Sequence, residues 1–319
     1  MNVYYNLEDL PQFTNSVITI GSFDGIHNGH QKIVQQVNEL ATKHKGESIV
    51  ITFHPHPRLI IYPKDKSLRL ITTIEEKIAL FEHFGIDNVV VVPFTVEFSQ
   101  QSADEYIQKF LVEKFSPKCI VVGYDHKFGL NRQGDIHYLK AAAKDFHFEI
   151  EEILKQQVAD ITVSSTKIRL ALEKGDVRTA NELLGHRFTL SGKVVRGQRI
   201  GHTIGFPTAN LEISSPHKLV PPYGIYACQV LVKESRYGGM LYIGDRPTLN
   251  GLDFRTIEVN IFDFKDEIYN EHIQIECIDF IRPDKKFDNL ENLQLALATD
   301  KKATLSILKK EFAFAKKKK

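Results

Sequence analysis

Continuous apolar runs alternate with helical patterns along the first half of the chain. In the helical stretches, apolar positions recur every three or four residues and cover one face of the helix. A strand that is apolar at every position is buried on both faces, which is typical of a parallel sheet covered by helices. The pattern therefore predicts an α/β domain with a parallel sheet, with strands at 17–20, 48–53, 88–93 and 119–122 and with helices that include 73–84 and 102–115.

The second half has a different pattern, because strand-like segments follow one another with turn residues between them. No long helix separates these segments, which is typical of a small antiparallel barrel. We expect a bridging helix at 176–184 and place the domain boundary near residue 186, which divides the chain into 1–186 and 187–319. The predicted barrel strands are 188–195, 224–233, 240–243, 255–264 and 272–281, followed by closing helices at 290–297 and 304–312.

Charge and composition narrow the classes of partner. The chain has 41 Lys and Arg residues and 40 Asp and Glu residues. Its net charge is therefore too small to attract nucleic acid or an anionic membrane. No apolar stretch reaches the roughly 18–20 residues of a membrane span, and the first residues lack the basic start and apolar core of a signal peptide. The cysteines Cys119, Cys228 and Cys277 have neither disulfide nor zinc spacing. We expect a cytoplasmic protein without nucleic-acid or membrane partners, and no oligomeric state follows from the sequence.

A glycine-containing loop with two histidines follows the first buried strand. It reads Gly21-Ser22-Phe23-Asp24-Gly25-Ile26-His27-Asn28-Gly29-His30 and leads into a helical pattern. A helix start offers unpaired N–H groups and a positive dipole end, and glycines let the backbone approach an anion. His27 and His30 lie three residues apart, so they can project on the same side of the first turn. If the two histidines donate hydrogen bonds to a triphosphate, they indicate nucleotide transfer. The alternative is that the pair has no function, which is the usual case for an isolated His-x-x-His.

A hydroxyl-rich segment precedes a later helix of the same half. Ser164, Ser165 and Thr166 could cap that helix. Together with Arg169 they could instead hold a triphosphate, since arginine makes bidentate phosphate contacts. Loops also follow predicted strands elsewhere, at 54–58 and 123–129, and each could be an ordinary turn. Because ligands bind beyond the carboxyl ends of parallel strands, these loops and the histidine loop together predict a site.

The second half carries a glycine-rich string, 192–210, which ends in the letters G-F-P-T-A-N. Glycines at short intervals allow a loop to fold over phosphates, and a glycine-rich hairpin turn is the alternative. The string is not a Walker A motif, because the Gly-Lys-Ser/Thr ending is absent. On the fourth predicted barrel strand, Thr256, Glu258 and Asn260 share one polar face. That face is either exposed to solvent or the place of a catalytic base.

These strings resemble, in order, the motifs of one family, the bacterial riboflavin kinase/FAD synthetases. The letters G-x-F-D-G-x-H-x-G-H are similar to the HxGH signature of nucleotidylyltransferases, with the F-D-G of the flavin branch. The segment 52–57 resembles T-F-x-P-H-P, 122–129 resembles V-G-x-D-F-x-F-G, and 164–169 resembles S-S-T-x-I-R. In the second half, G-F-P-T-A-N and the strand that contains Glu258 resemble the riboflavin kinase signatures.

The resemblance implies a Rossmann-like nucleotidylyltransferase domain, followed by a small antiparallel β-barrel riboflavin kinase domain with C-terminal helices. The implied chemistry is phosphorylation of riboflavin by ATP to FMN. Adenylylation of FMN by a second ATP then gives FAD and releases pyrophosphate. Riboflavin, FMN and ATP are the implied substrates, and FMN and FAD the products. Mg²⁺ is the implied cofactor of both steps, with protein ligands only at the kinase site.

In the first domain, the resemblance implies that His27 and His30 are catalytic and stabilise the ATP phosphates. The attacking group is the FMN phosphate, whose second pKa is about 6, so no strong base is needed. His126 stands where the family has an aromatic residue. The implied contacts with ATP and its phosphates are Gly21, Phe23, Asp24, Gly29, Ser164, Ser165, Thr166 and Arg169, and the implied contacts with flavin are His56, Pro57, Asp125 and Phe128.

In the second domain, the resemblance implies that Glu258 is the catalytic base, which a ribityl hydroxyl needs because its pKa lies far above neutrality. Thr208 and Asn210 are the implied Mg²⁺ ligands, since neutral oxygens suit Mg²⁺ when substrate phosphates supply the charge. Asn260 stands where histidine is common. The implied contacts with ATP and its phosphates are Gly197, Gly201, Gly205, Pro207, Thr208 and Asn210, and those with flavin are Tyr223, Gly224, Asn260 and Arg282.

Three other functions are open at this point. One is a monofunctional adenylyltransferase whose barrel only binds flavin, and the set Thr208, Asn210 and Glu258 argues against it. Another is a flavin-sensing regulator without catalysis, against which the histidines and Arg169 argue. The third is an adenylyltransferase for a pantetheine or nicotinamide nucleotide, and the kinase-like barrel argues against that substrate.

Overall fold

The computed structural model describes residues 1–124, 126–153, 163–197, 201, 204–246 and 254–317. The chain forms two compact units, Met1–Ser164 and Ser165–Lys319. Each unit has its own clusters of buried apolar side chains. Among the described residues, no helix is long and apolar enough to cross a membrane.

A six-stranded parallel sheet forms the centre of the first unit. Its strands are β1 (Asn2–Tyr4), β2 (Val17–Ile20), β3 (Ser48–His54), β4 (Asn88–Pro93), β5 (Cys119–Gly123) and β6 (Glu149–Ile153). They lie in the order β1-β4-β3-β2-β5-β6, and all neighbours are parallel. The strand order reverses direction between β2 and β5. In open α/β sheets, ligands bind at the carboxyl ends of the strands at such a point.

Helices connect the strands of this sheet. They are α1 (Asn28–His44), α2 (Pro57–Ile61), α3 (Ile74–His83), α4 (Val96–Ser99), α5 and α6 (Ile136–Phe146). Three consecutive pieces make up α5, which are Ala103–Glu105, the π-helical Tyr106–Val112 and Glu113–Phe115. A capping box formed by Thr73 and Glu76 begins α3, and this arrangement satisfies backbone N–H groups that the helix itself leaves unpaired.

Alternate residues of β2 enter two separate hydrophobic clusters. Ile18 packs with α5 and α6, whereas Val17 packs with α1 and α3, and both side chains are fully buried. All four residues of the strand, including Thr19, are buried because both faces of the sheet are covered. The predicted α/β arrangement with a parallel sheet is therefore confirmed.

A closed antiparallel barrel forms most of the second unit. Two helices precede it, α7 (Ser165–Glu173) and α8 (Val177–Leu184), and one helix follows, α9 (Leu290–Lys317). The barrel strands are β7 (Phe188–Val195), β8 (Ala209–Glu212), β9 (Gly224–Val232), β10 (Ser235–Arg246), β11 (Phe254–Ile261) and β12 (His272–Pro283). They close in the order β10-β11-β8-β7-β12-β9, and the predicted barrel is confirmed.

Side chains along the barrel strands alternate between a buried interior and an outer wall. On β11, Ile257, Val259 and Ile261 are buried and point inward, while Glu258 and Asn260 point to the opposite face. The helix α9 packs over the outer wall at β9, β10 and β12. The polar positions of β11 therefore lie on the outer wall, on the side that α9 helps to cover.

The structure differs from the sequence-based expectations at several elements. The two predicted closing helices are one helix, α9, because neither Gly nor Pro interrupts residues 298–303. The strands β1, β6 and β8 were not predicted, since they are short or carry acidic residues. The units divide between Ser164 and Ser165, whereas the predicted boundary near 186 falls between α8 and β7. The functional limits 1–186 and 187–319 stay a prediction.

Candidate active sites

The loop after β2 has an unusual backbone. Phe23 (φ 46°), Gly25 (φ 88°) and Ile26 (φ 37°) lie in the left-handed region, which is rare for aromatic and β-branched residues. For Phe23 and Ile26 such conformations cost about 1–3 kcal/mol each and persist only where the surrounding structure holds them. Phe23 and Ile26 are buried in the cluster that includes α1, so packing holds the strained turn. Strain of this kind clusters at functional sites.

Asp24 fastens this loop to the segment before α3. Its buried carboxylate accepts hydrogen bonds from the backbone N–H groups of Ile71 at 2.9 Å and Thr72 at 3.1 Å. The Thr72 hydroxyl in turn accepts a hydrogen bond from the Gly25 N–H at 3.1 Å. These contacts give Asp24 a structural role, and its implied contact with ATP stays a prediction.

A lysine that the sequence analysis did not single out lies beneath the loop. The Lys77 ammonium donates hydrogen bonds to the Ser22 carbonyl at 2.7 Å and to the Thr52 hydroxyl at 3.2 Å. Burial lowers the pKa of Lys77 to about 8, against the opposing effect of the Asp24 carboxylate. Lys77 shares a face of α3 with the buried Phe81. The sequence feature that could have singled out Lys77 is its position in the apolar face of the predicted helix.

The two histidines stack at the start of α1. His27 is the N-cap residue, and its Nδ1 accepts a hydrogen bond from the His30 backbone N–H at 3.3 Å. The two rings lie 3.7 Å apart and 10° from parallel, and the Phe23 ring meets His30 edge-on at 5.2 Å. Gly29 lies between them in the first helical turn and is buried. The structure thus brings together the two histidines expected to be catalytic.

His30 is neutral at physiological pH. Burial lowers its pKa well below 6.5, and the neighbouring His27 and Lys77 lower it further. Its buried Nδ1 has no hydrogen-bond partner among the described residues. A buried polar atom without a partner is costly, and a bound ligand that reaches this nitrogen would remove that cost.

Loops at the carboxyl ends of β2, β3 and β5 enclose a cavity of about 650 Å³. The residues that line it include four that the family resemblance implies, namely Gly21, His56, Pro57 and Phe128. Aromatic rings of Phe53, Phe98 and Tyr106 form more of its wall. A concave site with apolar walls and a few polar groups is typical of a small-molecule pocket.

Tyr106 is a cavity residue that the sequence analysis missed. Its ring stacks on that of Phe128, with centroids 5.1 Å apart and planes 24° from parallel. An aromatic residue in an amphipathic helix such as α5 is most often a core residue, so the sequence offered no specific signal. The structure places this ring at the edge of the core, where it also faces the cavity.

His126 lines the same cavity and keeps a flat ring where the family has an aromatic residue. Its imidazole stacks on Phe128, with centroids 5.8 Å apart and planes 29° from parallel. The adjacent Asp125, an implied flavin contact, lies outside the described residues. The departure at position 126 therefore preserves the shape of the wall and introduces ring nitrogens into it.

The hydroxyl-rich segment lies where the two units divide. Ser164 is the last residue of the first unit, and Ser165, Thr166 and Arg169 belong to α7 of the second. Their implied contact with phosphates at the histidine loop stays a prediction.

On the barrel, a hydrogen bond joins two residues that the resemblance places in the kinase site. The Thr208 hydroxyl donates to the Glu258 carboxylate at 2.7 Å. Glu258 lies on β11, directly opposite Asn210 of β8 and Tyr242 of β10. Strand pairing therefore brings Thr208, Asn210 and Glu258 to one patch of the outer wall.

Asn260 supports the same patch from the next outward position of β11. Its buried amide donates a hydrogen bond to the Pro207 carbonyl at 2.6 Å. This contact holds the chain segment that leads through Thr208 into β8. Asn260 also lines the neighbouring cavity, so a flavin contact by this side chain stays a prediction.

A cavity of about 540 Å³ lies between this wall and α9. Five residues implied by the resemblance line it, which are Gly201, Thr208, Glu258, Asn260 and Arg282. Much of the remaining wall is apolar, with Phe206, Met240, Leu293 and Leu297. The cavity therefore suits a flat apolar group with a polar end.

Thr208 also lines a second cavity of about 410 Å³. Pro207 and Ala209 contribute to this cavity, together with Lys265 and Tyr269 from the segment after β11. Because Thr208 borders both spaces, the Thr208–Glu258 pair lies where the occupants of the two cavities would meet.

Two glycines of the glycine-rich string lie very close to neighbouring residues. A Cβ atom at Gly197 would overlap the Asn210 amide, and one at Gly201 would overlap the Phe206 carbonyl. A larger residue at Gly201 would push the backbone at Phe206 away, whereas one at Gly197 would displace the Asn210 side chain. The glycines thus have a packing role next to the residues implied to hold phosphate.

Arg282 faces the cavity and is fastened to α9. Its guanidinium makes a bidentate ion pair with Asp300, with Nε–Oδ1 at 3.0 Å and Nη2–Oδ2 at 2.8 Å. Tyr223 lies under the Arg255 guanidinium at 5.5 Å, and Gly224 begins β9. Neither Tyr223 nor Gly224 lines the cavity as the described residues form it, so their flavin contact stays a prediction.

Comparison with known proteins identifies both halves of the chain. A family model described as FAD synthetase matches residues 10–167, and one described as riboflavin kinase matches residues 184–308. The chain is 35% identical over 296 residues to a bifunctional riboflavin kinase/FMN adenylyltransferase of Listeria monocytogenes, and the match covers 93% of each chain. The chain belongs to the bifunctional riboflavin kinase/FMN adenylyltransferase family.

A further member of the bifunctional family agrees with this assignment, and a solved structure has the same fold. The Escherichia coli protein is 35% identical over 297 residues, with 93% of each chain covered. A crystal structure from Streptococcus pneumoniae, described as that of a macrolide-efflux protein, has a TM-score of 0.83 at 31% identity. It covers 95% of this chain and 97% of its own. These matches confirm the family resemblance and the fold that it implied.

Proposed function

We propose that this chain phosphorylates riboflavin to FMN on the barrel and adenylylates FMN to FAD in the first unit, with ATP as the donor in both steps. Membership of the bifunctional family supports both activities. The observation that carries the assignment of the kinase site is the hydrogen bond between Thr208 and Glu258, 2.7 Å long, at the junction of two cavities.

In the kinase step, the isoalloxazine occupies the apolar cavity under α9, and ATP occupies the cavity on the other side of Thr208. The terminal ribityl hydroxyl comes to Glu258, whose carboxylate takes its proton as the oxygen attacks the γ-phosphorus. A new O–P bond forms, the bond from the γ-phosphorus to ADP breaks, and ADP leaves. Thr208 orients the Glu258 carboxylate through its hydrogen bond.

The residues at this junction fit Mg²⁺. The Thr208 hydroxyl and the Asn210 amide are neutral oxygen donors, and Asn210 lies opposite Glu258 on the neighbouring strand. Such ligands suit Mg²⁺ when ATP supplies the negative charge. When bound, the ion would neutralise charge on the transferring phosphoryl group. We assign Thr208 and Asn210 as its protein ligands, and expect Mg²⁺ in the first unit to be held by ATP.

In the adenylyl step, FMN occupies the cavity at the carboxyl ends of β2, β3 and β5. The stacked rings of Tyr106 and Phe128 offer flat apolar surface to the isoalloxazine. The FMN phosphate is mostly a dianion at neutral pH, because its second pKa is about 6, so it attacks the α-phosphorus of ATP without a base. The new O–P bond completes FAD, and pyrophosphate leaves.

The start of α1 supplies the stabilisation of the ATP phosphates in this step. Backbone N–H groups of the first helical turn are anion donors, and His27 and His30 flank them. His30 acts as a neutral imidazole that donates one N–H, since burial keeps its pKa well below 6.5. By the family motif, we also assign to these phosphates Ser164, Ser165, Thr166 and Arg169.

We place both reactions in the cytoplasm. The cysteines Cys119, Cys228 and Cys277 are buried free thiols, which is the usual state in a reducing compartment. Burial raises the pKa of the Cys228 thiol, so this side chain acts as a small apolar residue of the barrel interior.

The test is a time course of the purified chain with riboflavin, ATP and Mg²⁺, with the flavins separated by chromatography. FMN should appear first and FAD second. If riboflavin stays unchanged while added FMN becomes FAD, the barrel binds flavin without kinase activity. If neither flavin reacts, both proposed activities are wrong.

A further inference from the structure

We propose that Lys77 is a positioning residue for adenylyl transfer, which holds the turn after β2 and the stacked histidines in the geometry that receives the ATP phosphates. The inference rests on the proposed FMN adenylyltransferase activity of the first unit. Lys77 lies on α3, outside every motif on which the family resemblance is based, and its contacts rather than its sequence position point to this role.

Lys77 binds the chain at the point where β2 gives way to the strained turn. Its ammonium donates to the Ser22 carbonyl at 2.7 Å and to the Thr52 hydroxyl at 3.2 Å. The Thr52 hydroxyl also donates to the Ser22 carbonyl at 3.4 Å. Ser22 immediately precedes Phe23, the first left-handed residue of the turn. One side chain therefore joins α3, β3 and the start of the histidine loop.

The charges around Lys77 couple it to the histidines. Asp24 of the loop favours the ammonium form, while burial lowers the pKa of Lys77 to about 8. From the start of α1, His30 feels the positive charges of Lys77 and His27, which both lower its pKa. On the same helix as Lys77, Glu76 is turned to the Thr73 N–H at 3.0 Å.

A neutral His30 is what the stacked pair requires. The rings of His27 and His30 are 3.7 Å apart, and two imidazolium ions at that separation would repel each other. The Lys77 charge disfavours protonation of His30 and adds positive potential beneath the loop. Lys77 does not line the cavity as the described residues form it, so it acts through Ser22 and the histidines.

A buried lysine needs a reason, since taking an ammonium out of water is costly and an apolar residue would fill the same space. The contacts of Lys77 offset part of that cost. Lys77 lies beneath the loop where the ATP and FMN phosphates are expected to meet. Its fixed positive charge would stabilise these anions, which explains why a buried lysine is kept at this position.

The first experiment compares Lys77→Met and Lys77→Arg with the wild type in FAD formation from FMN. In Lys77→Met, kcat should fall roughly ten- to hundredfold, as for other residues that position a reacting group, with a small change in KM for FMN. Because the kinase site lies on the other unit, circular dichroism and thermal unfolding of each variant, rather than kinase activity, report whether the first unit has folded. The matched control is Lys109→Met, which removes an exposed lysine paired with Glu105 and should behave as the wild type.

Two further readouts separate positioning from a purely structural role. Because the pKa of Lys77 is about 8, its ammonium form is present below that pH, and wild-type kcat should fall as the pH rises above it. Lys77→Arg keeps its charge, so its profile should lose this alkaline decline. In Lys77→Met, NMR titration should show a higher pKa for His30, because a neighbouring positive charge has been removed.

Several outcomes would overturn the inference while leaving the FMN adenylyltransferase activity intact. These are a wild-type kcat in Lys77→Met, an effect on KM alone, or an alkaline decline unchanged in Lys77→Arg. A wild type that makes no FAD from FMN would overturn both. If Lys77→Met does not fold, Thr52→Val decides. It removes one of the two acceptors of Lys77, and an unchanged kcat there would count against the inference.

Discussion

The Thr208 hydroxyl and the Glu258 carboxylate are joined by a 2.7 Å hydrogen bond on the outer wall of the barrel. This contact ties the end of the glycine-rich string to β11. It also fixes the orientation of the carboxylate at the point where two cavities meet.

Replacement of this carboxylate should separate the two activities. Glu258→Gln should lower FMN formation by roughly a hundredfold or more, since general base catalysis contributes about 10²–10⁴-fold, while FAD formation from added FMN persists. Chromatography of the flavins measures both. Glu271→Gln removes a half-exposed carboxylate of the same unit and should leave both rates unchanged. Equal loss of the two activities in Glu258→Gln would contradict the assignment.

Loss of the buried histidine should have the opposite effect. His30→Ala should lower FAD formation by roughly 10²–10³-fold, the usual cost of removing one preorganised donor, and FMN should accumulate from riboflavin. The same flavin chromatography gives the result. His83→Ala, at an exposed position in the last turn of α3, is the matched control. Normal FAD formation by His30→Ala would remove the histidine pair from the mechanism.

The ion pair between Arg282 and Asp300 should control riboflavin binding, because it fastens α9 over the cavity proposed to bind riboflavin. Asp300→Asn should raise KM for riboflavin several-fold and lower the free energy of unfolding of the barrel by roughly 1–3 kcal/mol, as expected for lost hydrogen bonds to a charged group. Kinase kinetics and chemical denaturation measure the two effects. Asp263→Asn, at an exposed turn after β11, should change neither, and an unaltered KM in Asp300→Asn would argue against this role of α9.

Acid should destabilise the first unit through His30. Burial holds the pKa of His30 in the folded chain well below the ordinary histidine value of 6.5, which applies to the unfolded chain. Between the folded and the unfolded pKa the unfolded chain binds more protons, so the free energy of unfolding falls as the pH decreases below 6.5. His30→Gln removes this group, so its melting temperature should decline less between neutral and mildly acidic pH. His83→Ala should keep the wild-type slope. Identical slopes for the wild type and His30→Gln would show that His30 does not titrate in this way.

The fold could largely be predicted because its buried strands have distinctive patterns. Val17 and Ile18 face different clusters, yet both are fully buried, and a strand buried on both faces takes mostly apolar residues. The edge strand β6 has acidic residues and only partial burial, so its pattern resembles that of a loop. The family and its pair of activities, predicted from motifs, are confirmed by the matching family models.

The candidate sites could be predicted only where a motif names the residue. His27, His30, Thr208 and Glu258 belong to such motifs, and the structure brings each pair into contact. Lys77 has no motif, because its role depends on where α3 lies against β2 and β3. Long-range packing of this kind leaves only an indirect trace in the sequence, which here is a lysine in an apolar helix face.

Neighbouring positions of β11 have different surroundings, so natural selection should act on them for different reasons. Substitutions at Ile257 alter the barrel interior and should be limited by folding, whereas Val259 and Ile261 also line the smaller cavity beside Thr208. Substitutions at Glu258 and Asn260 alter the wall of the cavity proposed to bind riboflavin and should be limited by their effect on turnover. The residue at position 260 can therefore change in evolution and alter catalysis, while the buried residues of the barrel interior stay the same.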